Sequence, residues 1–243
     1  MKKQIFTLIL VIAIAFSIVL PEIAIADKCV IPIEPGVNVF EPGQKAIIAW
    51  NGTTECLIIS TDVISERKVK VLEILPLPSE PDIIELADFQ SFLAVQEYIF
   101  KKAPKTLGMY RKAFGEAKAN QVSIVFHEKL GFHDITVIHA ENLNALIKWI
   151  KTFLKDVGLE GNIELGNFRE VISDYMARGF YYFSLDIIEV PEEERSVEPI
   201  FYRFKTQFLY YPLKISAPIG GQGKITLYVI CLLYTSPSPR DRG

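Results

Sequence analysis

Apolar and polar residues alternate along three blocks of the chain, and this period of two is typical of β-strands. The blocks cover about residues 30–75, 122–140 and 180–230. In the first block, apolar residues lie on both sides of Asn51-Gly52, a pair preferred in tight two-residue hairpin turns because both positions need a positive φ. Pro-Gly pairs at 35–36 and 42–43 predict turns at the entry to this block.

Apolar residues recur at helical spacing in three other segments, 88–102, 141–158 and 167–180. Asp88 and Asn167 are suited to cap the first and third of these helices at their N-termini. Gly158 and Gly179 are placed to end the second and third. Strands and helices therefore come in blocks. This favours an α+β fold with a mostly antiparallel sheet and three main helices packed on it. No linker-like composition divides residues 27–230, which we expect to form a single domain.

The first 26 residues have the pattern of a secretory signal peptide. Lys2-Lys3 precede an uncharged, mostly apolar run over residues 5–20, and small residues occupy positions 24 and 26. We expect cleavage between Ala26 and Asp27. The alternative is an uncleaved N-terminal anchor helix, but the apolar run is shorter than the ~20 residues that span a bilayer. Either way, the sequence predicts a secreted or extracytoplasmic protein that is membrane-associated.

The last thirteen residues do not resemble the end of a domain. "CLLYTSPSPRD" follows a strand-like run directly and resembles the translation of a transposase-type sequencing adapter. We therefore expect residues 231–243 to be a non-native tail and the domain to be truncated at its C-terminus. The alternative is a native stalk rich in Ser and Pro that leads to a surface anchor.

Composition narrows the class of protein. Half of the 243 residues are hydrophobic, which is enough for a real core and excludes a disordered chain. The net charge is -3, without basic runs. Nucleic acid is therefore not an expected partner, because phosphate binding needs clustered Lys and Arg.

Export would expose thiols to oxidation. Cys29 and Cys56 remain once the tail is set aside, and we predict that they pair, although two separate cysteines are the alternative. Asn51 also begins an Asn-Gly-Thr sequon and is a glycosylation candidate, whereas a role in the turn alone is the alternative.

Several stretches together resemble the Domain of Unknown Function 2330 family. They are "EPGQKAIIAWNGTTECLIIST", "EILPLPSEP" followed by "ADFQSF", "LGFHDITVIHAENLNALIKWI", "ISDYMARGFYYFSLDI" and "VEPIFYRFKTQFLYYPLKIS". The resemblance spans about residues 29–230. It implies an exported, often membrane-tethered protein of bacteria or archaea, and it supplies no catalytic residue. The family domain usually continues beyond the last strand, where this chain has its adapter-like tail.

Three histidines are candidate metal ligands. If a hairpin turns at residues 129–131, His127 faces His133 across the strands, and imidazole pairs can bind zinc or copper. His139 lies six residues beyond His133, about 20 Å along a strand, too far to share an ion. Two ligands are fewer than stable sites use, so ordinary strand histidines are the alternative.

No catalytic motif is present. The chain lacks a nucleophile elbow, a zincin motif and a phosphate loop, and "GGQG" at 220–223 does not open a helix. The carboxylates of Asp174, Asp186 and Glu189 are scattered along the sequence. We therefore expect no catalytic residue and no cofactor, and we favour a non-enzyme.

The third strand block is unusually aromatic. An exposed aromatic face could bind a glycan or a protein partner, although a covering layer is the common alternative. The aromatic residues of this block are Phe180, Tyr181, Tyr182, Phe183, Phe201, Tyr202, Phe204, Phe208, Tyr210 and Tyr211.

The sequence predicts an uncharacterised exported protein that serves as a non-enzymatic cell-surface interaction or structural module. The alternative is an exported enzyme or metal-binding protein of unrecognised type.

Overall fold

The computed structural model describes residues 29–34, 36–101, 122–159, 168–215 and 223–231. Within those residues the chain forms eleven strands and three helices. The strands are β1 (Cys29–Pro32), β2 (Val39–Trp50), β3 (Thr54–Ser65), β4 (Val69–Leu77), β5 (Pro81–Leu86), β6 (Val122–Leu130), β7 (His133–Ala140), β8 (Tyr182–Val190), β9 (Arg195–Ser196), β10 (Ile200–Lys205) and β11 (Lys224–Cys231). The helices are α1 (Gln90–Lys101), α2 (Leu143–Asp156) and α3 (Phe168–Ala177). The predicted cleavage site, the cap Asn167 and residues 232–243 lie outside the described residues.

The strands form two sheets. Sheet A has the order β1-β4-β8-β7-β6, and sheet B has the order β11-β2-β3-β10-β5, with β9 paired to β3. All pairs are antiparallel except β11 with β2. The α+β class and the mostly antiparallel pairing are confirmed. The pattern predicted a single sheet, whereas the chain changes sheets after β3, so that β4 pairs with β1 and β8.

The core lies on both faces of sheet A. Tyr202 of sheet B reaches Ser184 of sheet A through a hydroxyl–hydroxyl hydrogen bond of 3.1 Å, so one face of sheet A meets sheet B. α2 contacts β6, β7 and α3 and covers the other face. Burial on both faces explains why β4 and β8 are nearly continuous in buried residues. Each fully buried aliphatic side chain, such as Ile48, contributes about 1.5–3 kcal/mol.

The helices begin and end where local chemistry favours it. The Asn142 side chain accepts the Ala145 N–H at 3.0 Å and caps α2. Gly158 follows that helix with φ +75°, and Gly179 follows α3 with φ +88°. The Asp88 side chain accepts the Gln90 N–H at 2.9 Å at the start of α1, as predicted.

α1 lies apart from the other two helices. Its Phe92 ring packs 6.4 Å from the ring of Tyr228 in β11, and Gln96 donates to the Tyr228 hydroxyl at 2.5 Å. Leu93, on the predicted apolar stripe of this helix, is exposed. None of the three described helices has the length and apolar character needed to cross a bilayer.

Turn predictions based on proline and glycine were wrong at one place in β2. Pro42-Gly43 is a bulge inside β2, where the pairing with β3 shifts between Phe40 and Gly43. A Cβ at Gly43 would lie 2.6 Å from the Asp62 carboxylate, so a larger residue would have to displace that side chain, which pairs with Lys45. The hairpin at Asn51 is also longer than predicted, because three residues separate Trp50 from Thr54.

Candidate functional site

Polar side chains converge at a buried centre between the two sheets. His133 shares the inward face of β7 with Ile135 and Val137, since side chains two residues apart point the same way. Its Nδ1 lies 2.5 Å from Oδ2 of Asp186 on β8, and its Nε2 lies 2.9 Å from the Glu198 carbonyl. We call His133, Asp186 and this carbonyl the buried centre. It connects sheet A to the segment that leads into β10 of sheet B.

Hydrogen-bond chemistry fixes the proton on one nitrogen of His133. A carbonyl oxygen only accepts, so Nε2 must carry a hydrogen. The Asp134 backbone N–H donates to the other Asp186 oxygen at 3.2 Å. The Asp186 carboxylate therefore lies between His133 Nδ1 and the Asp134 N–H, with one oxygen facing each of them. The two side chains are 0% and 4% exposed, so no ligand reaches this pair while the sheets stay together.

The predicted pairing of His127 with His133 does not occur. The hairpin turns at residues 131–132, so that His127 lies opposite Thr136 and His133 opposite Leu130. Nδ1 of His127 lies 2.7 Å from the Thr136 hydroxyl. In the part of the chain that the structure describes, no group of three or more His, Cys, Asp or Glu side chains is placed to hold a metal ion. The metal hypothesis for His127 and His133 gains no support.

An open pocket lies at the end of the sandwich where β10 finishes and β8 begins. Its volume is about 460 Å³. Its lining residues are Thr53, Pro78, Arg178, Gly179, Phe180, Lys205, Thr206, Gln207 and Phe208. We call this cavity the end pocket. It brings together the hairpin after β2, the turn after β4 and the residue that stops α3.

Backbone and side-chain hydrogen bonds fix the wall of the end pocket formed by residues 205–208. The Thr206 N–H donates to the Thr53 carbonyl at 3.0 Å, and the Trp50 indole N–H donates to the Thr206 carbonyl at 3.2 Å. The Thr206 hydroxyl donates to the Phe208 carbonyl at 2.8 Å. Lys205 is held by Ser79, whose hydroxyl donates to the Lys205 carbonyl at 2.8 Å. The wall is therefore positioned before any ligand arrives.

Arg178 provides a fixed cation at the end pocket. Its guanidinium lies 2.8 Å from the Asp174 carboxylate and 4.4 Å from the centre of the Tyr175 ring. The ammonium of Lys214, hydrogen-bonded to Asp174, and the Arg178 guanidinium together hold the pKa of this carboxyl below its usual value. Asp174 therefore stays ionised and holds Arg178 in place.

Lys205 provides a second cation, which has no acidic partner within ion-pair distance among the described side chains. Phe208 is 50% exposed and presents an aromatic face beside it. The lining residues within the described ranges include no carboxylate, histidine or cysteine. The end pocket can therefore bind an anion and stack an apolar surface, whereas its side chains supply no general acid or base at neutral pH.

Glu55 lies behind the end pocket in the core. It is fully buried, and one carboxylate oxygen accepts the Tyr210 N–H at 2.8 Å. Burial raises the pKa of Glu55 to about 8, and the Tyr210 hydrogen bond offsets part of that rise. Glu55 is therefore neutral at pH 7. The Tyr210 ring packs 5.3 Å from Phe180, which connects this carboxyl to the pocket wall.

The predicted aromatic face is mostly core. Phe180, Phe183, Tyr202, Phe204 and Tyr210 are at most 5% exposed because the sheets close over them. Only two of the ten aromatic residues are exposed, Tyr181 and Phe208. A covering layer therefore accounts for most of the cluster, and Phe208 is the member that lines the end pocket.

The other predicted site residues are in separate places. The exposed Asn51 side-chain carbonyl accepts the Thr53 and Thr54 N–H groups at 3.0 and 2.9 Å, which stabilises the hairpin tip. Cys56 lies in β3 of sheet B and forms no disulfide with the described side chains. Cys29 lies in β1 of sheet A, and its side chain is outside the described residues. Glycosylation at Asn51 and the Cys29–Cys56 disulfide remain predictions.

Sequence reasoning missed Arg178, Lys205 and Gln207, because no motif links the residue after α3 to the end of β10. It also treated Asp186 as isolated. A signal for the buried groups was present: Glu55 shares parity with Leu57 and Ile59, and His133 shares parity with Ile135. A polar residue at an inward position of an alternating strand indicates a buried polar group.

Comparisons with known proteins give one match. A family model described as "Uncharacterized protein conserved in bacteria" matches residues 24–238. This range includes every described residue, and it extends into the predicted leader and tail. No curated protein matches the chain. No solved structure matches it either.

Proposed function

The chain belongs to the Domain of Unknown Function 2330 family, and from this premise we propose that it is an exported binding module that holds an acidic ligand in the end pocket. It acts without catalysis, at the cell surface, either secreted or membrane-associated. The observation that carries the proposal is the meeting of two cations and a half-exposed aromatic ring on fixed walls.

The chemistry of the end pocket favours an acidic sugar. Arg178 and Lys205 suit a carboxylate or a phosphate, and charge-assisted hydrogen bonds to such groups are the strong ones. The Phe208 ring offers an apolar surface on which a sugar ring can lie. The Thr53 hydroxyl donates to Asn51 Oδ1 at 3.1 Å and can still accept from a sugar hydroxyl, and the Gln207 amide supplies both donors and an acceptor. A volume of about 460 Å³ lies within the range of small-molecule sites.

The N-terminal 26 residues support the proposal that the protein is exported. Lys2-Lys3, the apolar run over 5–20 and the small residues at 24 and 26 are the parts of a secretory signal. Expression of the full chain in a bacterial host, followed by N-terminal sequencing of the product, tests this part. A mature N-terminus at Asp27 in the extracytoplasmic fraction is expected. An intact chain in the cytosol would contradict export.

The proposal that the end pocket binds an acidic sugar is tested by calorimetric titration of the secreted chain with glucuronate. Glucose, which lacks the carboxylate, is the uncharged comparison. We expect saturable binding of glucuronate only. Lys205→Gln and Phe208→Ala should each weaken it about 5- to 10-fold, since each removes one charge-assisted contact or one ring. Lys129→Gln is the control, because its ammonium lies 3.6 Å from Asp134 on the β6–β7 hairpin, outside the pocket. Equal affinity for glucose, or no effect of the two pocket variants, would refute the acidic-sugar assignment.

A further inference from the structure

The outer face of α2 carries three lysines in a shallow groove. Lys148, Lys151 and Lys155 are exposed, and the groove has a volume of about 660 Å³. The other lining residues are Asn144, Ile147, Thr152 and Asp156. We call this surface the lysine groove. It lies on a different element from the end pocket, so a ligand bound here is independent of the proposed function.

The lysine groove carries an excess of positive charge, because its lining includes three lysines and one carboxylate, that of Asp156. None of its three ammonium groups lies within ion-pair distance of an acidic side chain among the described residues. Seven other described cations are paired with acids: Lys45, Arg67, Lys68, Lys129, Arg178, Arg203 and Lys214. Arg169 of α3 donates to Asn144 at 2.9 Å and places a fourth cation beside the groove. This concentration of positive charge contrasts with the net charge of -3 for the chain.

The geometry of the lysine groove suits a linear anion. Spacings of three and four residues separate the lysines by about 4.5 and 6 Å along the helix axis. The charges therefore form a row along the exposed side of α2. The apolar side of α2, with Leu146, Ile150 and Leu154, is buried in the core. No apolar face is left to insert into a bilayer, which a membrane-surface helix needs.

We propose that the lysine groove binds a linear polyanion with closely repeated phosphates. Each ammonium neutralises one phosphate and releases its condensed counterion, so that affinity falls steeply as salt rises. The low net charge elsewhere limits non-specific attraction.

The test uses the full secreted chain, long-chain inorganic polyphosphate and fluorescence anisotropy at several salt concentrations. The variant Lys148→Gln/Lys151→Gln/Lys155→Gln removes three charges from exposed helix positions. The control Arg67→Gln/Lys68→Gln/Lys129→Gln removes three charges from exposed ion pairs elsewhere and has the same net charge as the groove variant. A third variant, with all three groove lysines changed to Arg, keeps the charge and tests whether substitution alone disturbs α2.

We expect the groove variant to bind about 100-fold more weakly and to lower the slope of log affinity against log salt by about 2, at ~0.7 per lost contact. The control and the Arg variant should stay within about threefold of the wild type. Three results would overturn the proposal: equal losses in groove variant and control, unchanged binding in the groove variant, or binding to anionic vesicles in place of polyphosphate.

Discussion

The buried centre and the end pocket both hold charged side chains beside aromatic or apolar walls, yet they differ in access. His133 and Asp186 are 0% and 4% exposed, whereas the Arg178 and Asp174 side chains are 47% and 35% exposed. Both pairs are close, at 2.5 and 2.8 Å. Short contacts between titratable groups therefore do not identify a functional site in this fold. Access to solvent distinguishes the two regions.

The difference follows from position along the strands. His133 and Asp186 lie inside the two-sheet sandwich, where an unpaired charge would be costly, and each satisfies the other. Arg178 follows α3 and Lys205 is the last residue of β10, so both lie where the chain leaves the core. Variants at the buried centre should therefore change stability, and variants at the end pocket should change binding.

The largest expected effect is that of His133→Ala on stability. Removing the imidazole leaves the Asp186 carboxylate buried without its main partner, and breaking one side of a buried pair costs about 3–5 kcal/mol. Urea denaturation followed by circular dichroism measures the free energy of unfolding. His139→Ala is the matched control, because that side chain is 29% exposed and lies 3.8 Å from Glu141. It should cost less than about 1 kcal/mol.

The double variant His133→Leu/Asp186→Leu sharpens this prediction. Replacing both partners of a buried pair with apolar groups often recovers stability that either single change loses. We expect the double variant to be more stable than His133→Ala. Equal costs for His133→Ala and His139→Ala would show that the centre contributes no special stability.

The second effect is a pH dependence that comes from Glu55. Its pKa is raised to about 8 in the folded state, from 4.5 in the unfolded chain. The folded protein therefore holds a proton that the unfolded chain releases, and stability falls as pH rises between these two values. From about pH 5 to about pH 7 the loss from this residue is roughly 2–3 kcal/mol. Below 4.5 the contribution to stability is complete.

Glu55→Gln isolates the effect, because the amide keeps the shape and does not titrate. Urea denaturation at several pH values should show that the wild type loses stability over this window and that the variant does not. Glu85→Gln, an exposed position on β5, is the control. A wild-type curve that is flat between about pH 5 and about pH 7 would contradict a neutral, buried Glu55.

The spacing of apolar residues along the sequence predicted most of the helices and strands. Leu146, Ile147, Ile150 and Leu154 marked the buried face of α2, and Gly158 marked its end. These features are local, because they depend on spacing along one segment. The division into two sheets was not predicted. Pairing of β4 with β8 depends on contacts across more than a hundred residues, which no local pattern contains.

The candidate site was less predictable than the fold for the same reason. Phe180 and Phe208 were identified as aromatic candidates, but the pattern could not tell the buried ring from the exposed one. Arg178 and Lys205 come from separate segments that meet only when β8 and β10 are placed in different sheets. The hairpin of β6 and β7 shows that a small error in the position of a turn changes which residues face each other. A turn only one or two residues later than expected separates His127 from His133.

The smallest expected effect on stability is that of Thr206→Val at the end pocket. The hydroxyl donates to the Phe208 carbonyl at 2.8 Å and accepts the Phe208 N–H at 3.3 Å, and valine has nearly the same shape without these bonds. Thermal denaturation should show a loss of about 1–2 kcal/mol. Binding of glucuronate should also weaken, because the turn that positions the Phe208 ring loses its support. Gln207→Ala, at an exposed neighbour, should change stability by less than about 0.5 kcal/mol. If Thr206→Val destabilises the fold but leaves glucuronate affinity unchanged, the turn contributes to stability only. Thr206 then belongs with the buried centre in its effect, and not with the end pocket.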